Sequence, residues 1–263
     1  MATVALLHPG AMGSRVGGEL AAAGHTVRWR PEGRSGRSGE RAEREGLTAV
    51  PDLASLVDGA DLVLSVLPPQ AALPVAEQVA TSGFTGTYVD ANPLSPATLE
   101  RVRAVVEDTG ATLVDGGIVG PPPAEGHRTH LYLAGDRDRV AAVAALLPGP
   151  RLLPVVVGEG VGQASAAKQA YALVNKGRMV LAAMAADLAD AHGVGDVLAA
   201  EHDRSDASLL AELPELRQGL ARVGWRWAPE LDELAASLDD VGDDSAAVRG
   251  LAARLRTLGP TGG

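Results

Sequence analysis

The run Val4-Ala5-Leu6-Leu7-His8-Pro9-Gly10-Ala11-Met12-Gly13 contains a short apolar strand, a turn with glycine and the start of a helix. This order of elements directs backbone N–H groups and the positive end of the helix toward a pyrophosphate. Gly10 lets the backbone approach the phosphates, and Gly13 lets the helix pack closely on the strand. We therefore expect a dinucleotide to bind at Gly10, Ala11, Met12 and Gly13.

The glycine fingerprint of this turn is incomplete, because His8 occupies the position of its first glycine. Pro9 also removes one possible N–H donor. Turns with two spaced glycines are common in the absence of any ligand, but the position between the first strand and the first helix favours a dinucleotide site. We interpret His8 as a polar residue at a strand end rather than as a catalytic group.

Strand-like runs alternate with helical stretches rich in Ala and Leu through residues 1–158. This alternation is typical of a parallel sheet with helices on both faces. The predicted strands are Val4–Leu7, Thr26–Arg30, Leu62–Val66, Thr87–Asp90, Thr112–Val114, His130–Ala134 and Leu152–Val157. The predicted helices between them include Ser14–Ala23 and Pro96–Glu107. The expected fold class is α/β, with a Rossmann-type doubly wound sheet.

The strand pattern ends at the glycine-rich run Gly158–Gly162, and a long helix is predicted from Gln163 to about His192. We expect a dinucleotide-binding domain at 1–158 and a smaller all-α domain for substrate binding and dimerisation at 159–263. The long helix is rich in Ala, Leu and Met, which one small domain cannot bury completely. The sequence therefore predicts a homodimer formed through the helical domains.

The composition excludes several classes of protein. The net charge of −10 disfavours nucleic acid as a partner, and the absence of cysteine excludes disulfides, thiolate nucleophiles and cysteine-bound metals. His127 and His130 are three residues apart with no nearby carboxylate cluster, so no metal is expected. The first residues do not resemble a signal peptide and no apolar run is long enough for a bilayer. We expect a cytoplasmic protein that acts on a small-molecule substrate, with no membrane partner.

The choice of cofactor depends on the loop after the second strand, where an acid binds a ribose 2′-hydroxyl and an arginine accepts a 2′-phosphate. Glu32 has the spacing of an NAD-type acid. Arg34 and Ser35 follow it in a glycine-rich loop suited to a phosphate. We favour NADP, bound by Arg34 and Ser35, with NAD as the alternative. A solvated charged loop would also explain these residues.

Several segments resemble, in order, the β-hydroxyacid dehydrogenase superfamily, which contains 6-phosphogluconate and 3-hydroxyisobutyrate dehydrogenases. They are Gly10–Gly13, Leu62–Pro69, Asp90–Pro96, Asp115–Gly120, and Gly160–Gly162 with Lys168. The resemblance implies that Leu67, Pro68 and Asn92 lie at the cofactor, that Ser95 lies at the substrate, and that Lys168 is the catalytic lysine.

The segment Asp115–Gly120 resembles the substrate loop of the superfamily, which implies that Gly116, Gly117, Val119 and Gly120 contact the substrate. Related dehydrogenases have a serine followed by two glycines there to hold a carboxylate, whereas this chain has Val119, Gly120 and a proline. This chain therefore lacks the serine hydroxyl and one backbone N–H that would bind a carboxylate, which makes a hydroxy acid a less favourable substrate. It leaves reduction of a ketone, an aldehyde or an imine open.

Nearly the whole chain resembles a poorly characterised phosphogluconate-dehydrogenase-like branch of the superfamily, in which a compact helical domain follows the Rossmann domain. The segments concerned are Gly33–Ser35, Ala167–Tyr171, Lys176-Gly177, and Trp225–Trp227 with Glu230 and Glu233. Arg226 lies between two tryptophans and is a candidate clamp for an anionic or aromatic substrate. The alternative is an anchor in the core or at an interface.

Hydride transfer at an alcohol or carbonyl carbon needs a partner for the oxygen-bound proton. Lys168 is our candidate general acid/base, because an ammonium near the start of a long helix and partly desolvated can have a lowered pKa. The alternative is a lysine that bridges the domains. Tyr171 shares its helical face and can supply a hydroxyl where better-known relatives use an asparagine, although a core tyrosine is also possible.

The sequence is compatible with three functions. The first is an NAD(P)-dependent dehydrogenase or reductase of a small alcohol or carbonyl compound, with Lys168 as acid/base. The second is an imine reductase of the same fold. The third is a cofactor-binding sensor or partner protein without catalysis, which is suggested by the departures at His8, Val119 and Ala172.

Overall fold

The computed structural model describes residues 1–147, 149–204 and 213–258. The chain divides into two compact units, and the division falls between Lys168 and Gln169. The strands are β1 Thr3–Leu6, β2 Thr26–Trp29, β3 Thr48–Ala49, β4 Leu62–Ser65, β5 Thr87–Asp90, β6 Thr112–Val119, β7 Thr129–Gly135 and β8 Leu152–Gly158. They form one sheet with the order β3-β2-β1-β4-β5-β6-β7-β8.

The expected α/β class with a Rossmann-type sheet is confirmed, since the order β3-β2-β1-β4-β5-β6 is that of a doubly wound dinucleotide-binding sheet. One pair of strands departs from the predicted parallel sheet, because β6 and β7 are antiparallel. Residues 120–128 join these two strands and contain no crossover helix, and parallel neighbours require a crossover.

Strand β6 is longer than the sequence predicts, because it continues from Val114 to Val119. Gly116 and Gly117 have low strand propensity, which is why the strand pattern ends before them in the sequence. The ladder with β7 pairs Val114 with Gly135 and Val119 with His130, so these glycines are held in the sheet by tertiary pairing.

The helices of the first unit lie on both faces of the sheet. They are α1 Ala11–Ala22, α2 Gly36–Arg44, α3 Leu53–Val57, α4 Pro69–Thr81, α5 Pro96–Glu107 and α6 Arg137–Ala145. Helix α1 begins three residues before the predicted Ser14. Helix α5 has the predicted bounds, and the hydroxyl of Ser95 caps it by accepting the N–H of Thr98 at 3.3 Å.

Two apolar cores cover the sheet, one on each face. Val4 and Leu6 of β1 point into the core that α1 and α6 complete, while Ala5 and Leu7 point into the core that α4 and α5 complete. This division follows the two-residue period of a strand. Because both faces are buried, the strands are continuously apolar, and each fully buried leucine contributes roughly 1.5–3 kcal/mol to stability.

The second unit is helical. Helix α7 covers Gln163–Ala191, of which the residues up to Lys168 belong to the first unit. It is followed by α8 Gly195–Arg204, α9 Leu213–Val223, a 3-10 turn at Gly224–Trp227, α10 Ala228–Asp240 and α11 Ala246–Thr257. Val180, Leu231 and Leu255 are fully buried in its core. Among the helices in the described ranges, none is both long and apolar enough to cross a membrane.

Candidate functional site

The carboxyl ends of β1 and β4 define the candidate site. The strand order reverses there, since β2 and β3 lie on one side of β1 and β4, β5 and β6 lie on the other. Open α/β sheets bind their ligands in the crevice at such a reversal. The N–H of Leu7 donates to the carbonyl oxygen of Leu64 at 3.1 Å, which keeps the two strand ends together up to the start of the turn.

The turn after β1 leads into an open helix terminus. Gly10 is the N-cap of α1, and within the described part of the chain no side chain caps this terminus. The first bond of the helix runs from the N–H of Ser14 to the carbonyl of Gly10 at 3.0 Å. The N–H groups of Ala11, Met12 and Gly13 therefore precede the helical ladder, and no acidic side chain lies in the first turn. This arrangement suits an anionic pyrophosphate.

Gly13 is required by the close approach of α1 to β1, because an added Cβ would overlap the carbonyl oxygen of His8. A Cβ on Gly10 would lie 3.1 Å from the His8 ring. The imidazole therefore fills the space beside the turn that the usual first glycine would leave open. Burial, together with the charges of Arg34 and Arg41, lowers the pKa of His8 to about 4, so the ring is neutral at neutral pH.

Arg34 lies against the same turn, where its Nη2 donates to the carbonyl oxygen of Leu7 at 3.2 Å. Burial and the nearby Arg30 lower its pKa. The Nε of Arg34 and the Nδ1 of His8 are buried without a hydrogen-bond partner among the described residues. Two buried nitrogens with unused hydrogen-bonding capacity fit a ligand that brings oxygen atoms to the turn, as a dinucleotide does.

The acid with NAD-type spacing has a different environment. Glu32 is largely exposed and pairs with Arg30 at 3.2 Å. Ser35 precedes α2 as its N-cap, with its hydroxyl 3.3 Å from that of Ser38. Arg34 is thus directed at the turn, while Glu32 is directed at another side chain.

Asn92 forms hydrogen bonds with residues at the carboxyl ends of β4 and β5. Its Oδ1 accepts the N–H of Leu67 at 2.5 Å, and its Nδ2 donates to Ser65 Oγ at 2.8 Å and to Asp90 Oδ2 at 3.0 Å. The side chain is almost fully buried. Asn92 therefore fixes the segment Leu67-Pro68 that the sequence predicts at the cofactor, and its amide hydrogens are both used inside the protein.

Two aspartates lie side by side at the ends of neighbouring strands, since Asp90 of β5 is in register with Asp115 of β6. Both are fully buried. Burial raises the pKa of Asp90 to about 7; its hydrogen bonds with Asn92 oppose the rise and the charge of Asp115 adds to it. Burial also raises the pKa of Asp115, against the hydrogen bonds that it accepts.

Asp115 binds the start of α7. Its Oδ2 accepts the N–H groups of Gly162 at 2.9 Å, Ala164 at 2.8 Å and Ser165 at 3.1 Å. Its Oδ1 accepts the hydroxyl of Ser165 at 2.5 Å. No role for Asp115 is evident from the sequence alone. The sequence does contain one signal: Asp115 directly follows the apolar run Leu113-Val114, and a carboxylate buried there needs hydrogen-bond donors.

The residues predicted as a substrate loop form strand β6 as far as Val119, which corrects the expected loop conformation, while their contact with a substrate stays a prediction. Gly116 and Gly117 allow close packing on opposite faces: a Cβ on Gly116 would lie 3.0 Å from the carbonyl oxygen of Asp90, and one on Gly117 would lie 3.0 Å from the Cβ of Lys168. Val119 is buried, and the exposed Gly120 ends the strand at a φ of +113°.

The other predicted residues are placed as follows. Ser95 is buried at the start of α5, and Lys168 is half-buried near the start of α7. In the second unit, the side chain of Tyr171 is half exposed and the guanidinium of Arg226 stands 5.2 Å from the ring of Trp225. Within the described ranges, no group of three or more His, Asp or Glu side chains is arranged to hold a metal ion.

A sequence family described as the NAD binding domain of 6-phosphogluconate dehydrogenase matches residues 3–149. The chain belongs to this family. A second family, a domain of unknown function (DUF1932), matches residues 189–258. The resemblance to the β-hydroxyacid dehydrogenase superfamily is thereby confirmed, and the first unit is a nicotinamide-dinucleotide-binding domain. A search of the curated proteins found no match.

Solved structures with the same fold include members of two enzyme groups. The 3-hydroxyisobutyrate dehydrogenase of Mycobacterium tuberculosis has a TM-score of 0.77 and 18% identity, covering 98% of this chain and 93% of that one. An imine reductase from Pseudomonas sp. has a TM-score of 0.61 and 19% identity, covering 97% and 92%. The conserved protein MTH1747, described as of unknown function, has a TM-score of 0.71 and 22% identity, covering 97% of both chains.

Substitution of Gly13 by Ala tests the geometry of the turn. The added methyl group overlaps the His8 carbonyl, so the start of α1 has to move away from β1. We expect a loss of about 1–3 kcal/mol in the free energy of unfolding. We also expect NADPH affinity, measured by fluorescence titration, to fall at least about 10-fold, since about 1.4 kcal/mol corresponds to that factor.

The control for this prediction is Gly250→Ala in α11, where an added Cβ meets no atom within 4 Å. This change is expected to raise helix stability by about 1 kcal/mol and to leave NADPH binding unchanged. Unaltered NADPH affinity in Gly13→Ala would show that the dinucleotide does not bind at this turn.

Proposed function

We propose that the protein is an NADP-dependent oxidoreductase of a small alcohol or carbonyl compound, with Lys168 as general acid/base. The observation that carries this proposal is the packing of Lys168 against Gly117, on β6 of the dinucleotide-binding sheet. The bound cofactor supplies or accepts the hydride. In the oxidative direction the neutral Lys168 amine accepts the hydroxyl proton as the carbonyl forms, and in the reductive direction its ammonium returns that proton to the oxygen.

The preference for NADP is supported by the position of Arg34. Its guanidinium lies at the dinucleotide turn, and its Nε has no partner among the described residues. A 2′-phosphate there would gain a charge-assisted hydrogen bond. Ser35, next to it at the start of α2, is proposed as a second donor. Glu32, the acid of an NAD-type site, is already paired with Arg30.

Tyr171 and Arg226 are proposed substrate contacts in the second unit. The Tyr171 hydroxyl would orient the substrate oxygen, and the fork of Arg226, close to the ring of Trp225, would bind an anionic or planar group. Ser95, Gly116, Gly117, Val119 and Gly120 remain proposed substrate contacts of the first unit.

Reduction of imines is a second candidate function. It is supported by the fold that the chain shares with imine reductases and by the absence of a hydroxyl side chain at Val119, Gly120 and Pro121. Without that hydroxyl, a substrate carboxylate loses a specific partner, whereas an imine does not need one. A cofactor sensor without turnover is the remaining alternative.

We also propose a homodimer formed through α7. Val174, Leu181 and Leu188 recur every seven residues on this helix and are each more than half exposed. Met184 extends the same apolar surface. An exposed stripe of this kind is typical of a helix that packs on a partner helix, and a second copy of the chain presents an identical stripe.

Substitution of Lys168 by Met tests the acid/base. We expect kcat to fall by about 10²–10⁴-fold while the Kd for NADPH stays within about twofold, because only the proton transfer is lost. Turnover is measured as NADPH oxidation with propanal, cyclohexanone and 1-pyrroline, and as NADP reduction with 3-hydroxyisobutyrate. Activity on the cyclic imine alone would favour the imine reductase, and NADPH binding without any turnover would favour the sensor.

Two controls sharpen this experiment. Lys176→Met removes the other lysine of the chain, which pairs with Glu230 in the second unit, and is expected to leave kcat unchanged. Because the chain has no cysteine, Lys168→Cys provides a unique thiol that bromoethylamine converts into a lysine analogue. Recovery of activity on alkylation supports an amine at this position, and full activity of Lys168→Met would remove Lys168 from the mechanism.

Substitution of Arg34 by Ala tests the cofactor preference. The loss of one charge-assisted contact is expected to weaken NADPH binding by about 10- to 100-fold, since such bonds contribute about 1.5–3 kcal/mol. NADH binding is expected to change little. Glu32→Gln is the matched variant: a selective loss of NADH affinity in it, with NADPH affinity intact in Arg34→Ala, would reverse the assignment.

Substitution of Leu181 by Glu tests the dimer. A carboxylate in the apolar stripe would be buried without a partner, so the protein is expected to become monomeric in analytical ultracentrifugation at micromolar concentration. Val241→Glu places the same charge at an exposed apolar residue after α10 and is expected to leave the dimer intact. A monomeric parent protein would contradict the proposal directly.

A further inference from the structure

Two residues on one face of strand β6, Asp115 and Gly117, contact the start of α7. Asp115 and Gly117 are two positions apart on the strand, so both are directed to the same side of the sheet. We propose that Asp115, together with Gly117, is a positioning residue that sets where Lys168 stands at the candidate site. This inference rests on the proposed role of Lys168.

The first step of the argument is the hydrogen bonding of Asp115. One carboxylate oxygen accepts the N–H groups of Gly162, Ala164 and Ser165, and the other accepts the Ser165 hydroxyl. A helix start leaves its first N–H groups without helical partners. Here a buried side chain from a different element satisfies three of them, so the first turn of α7 is tied to β6.

The second step is the close packing at Gly117. A Cβ on this residue would lie 2.8 Å from the carbonyl oxygen of Ala164 and 3.0 Å from the Cβ of Lys168. These are backbone and Cβ atoms, which cannot rotate away as the end of a flexible side chain can. Gly117 thus sets the depth at which the start of α7 lies on the strand.

The third step connects these contacts to the amine. Lys168 follows Ala164 by four residues and Ser165 by three, so the three share one face of the helix. One rigid helical turn lies between Ala164 and Ser165, whose N–H groups Asp115 binds, and Lys168, which packs against Gly117. A shift of this turn moves the Lys168 backbone by the same amount.

Asp115 acts through Lys168 and does not itself exchange a proton with the substrate. It is fully buried, and its two oxygens already accept four hydrogen bonds. Within the sheet it pairs in register with Asp90 on β5 and with Ala134 on β7. These features distinguish it from Lys168, which is only half-buried.

The test compares Asp115→Leu with Asp115→Asn in the protein with cofactor bound. Leu removes every acceptor, so kcat is expected to fall about 100-fold, the effect of a misplacement of about 1 Å. Asn keeps an amide oxygen for the N–H groups and an amide donor for Ser165 Oγ, so most of kcat is expected to return. The Kd for NADPH should stay within about twofold in both variants, since the dinucleotide turn is unchanged.

A structural readout accompanies the kinetics. Lys168→Cys gives a unique thiol in this cysteine-free chain, and its rate of reaction with N-ethylmaleimide reports the position and exposure of residue 168. We expect this rate to rise several-fold when Asp115→Leu is added. Amide hydrogen exchange at 162, 164 and 165 should accelerate in parallel, because their acceptor is lost.

Two matched controls separate positioning from general loss of stability. Asp136→Leu removes the cap of α6, where the Asp136 carboxylate accepts the N–H of Arg139 at 3.0 Å, and is expected to lower stability while leaving kcat and thiol labelling at position 168 unchanged. Gly117→Ala is expected to lower kcat as Asp115→Leu does. Gly86→Ala, just before β5, would place a Cβ 3.0 Å from the carbonyl oxygen of Asp61 and closer still to the ring of Phe84, and it should reduce stability alone.

The outcomes distinguish this inference from the proposed function. A parental kcat in Asp115→Leu, with a parental labelling rate when Lys168→Cys is combined with it, would overturn the positioning role. Parental turnover in Lys168→Met would overturn the catalytic role, while faster labelling of the thiol at position 168 would still establish that Asp115 positions this residue. If Asp115→Leu fails to fold, Asp115→Asn and Gly117→Ala carry the same comparison.

Discussion

The buried carboxylate of Asp115 is the interaction on which the arrangement of the candidate site depends. The start of α7 presents N–H groups that have no helical partner, two of them on the buried residues Ala164 and Ser165, and buried N–H groups have to find a partner. A single aspartate on β6 satisfies three of them and the Ser165 hydroxyl. The cost is desolvation of a charge, which is visible in the raised pKa of Asp115 and of its neighbour Asp90.

The same principle recurs at the end of β4, where Asn92 joins Leu67, Ser65 and Asp90. The exposed part of the site is therefore built on a buried polar layer. Arg34 and Lys168, which are proposed to meet ligands, are more exposed than the groups of this layer. Because a half-satisfied buried network is costly, this layer favours one arrangement of the strand ends over its alternatives.

Much of the fold could be predicted from the sequence, because the relevant signals are local. The apolar runs of β1, β4 and β5 and the helix of Pro96–Glu107 agree with the structure within a residue or two. The turn after β1 is equally local, since Gly10 and Gly13 lie within one short segment. The continuation of β6 to Val119 could not be predicted, because its glycines carry no strand signal and only the pairing with β7 holds them in the sheet.

The sequence by itself determined the class of the fold, the family and the position of the glycine turn between β1 and α1, since periodicity and short motifs encode these features. Only the tertiary structure decided the contacts of Asp115, Asn92 and Gly117. Asp115 is 50 residues from Ser165 and Asn92 is 25 residues from Leu67, so no local pattern joins them. A buried polar side chain needs a hydrogen-bond partner, but the neighbouring sequence does not identify that partner. The packing of strands and helices determines which distant residue becomes the partner.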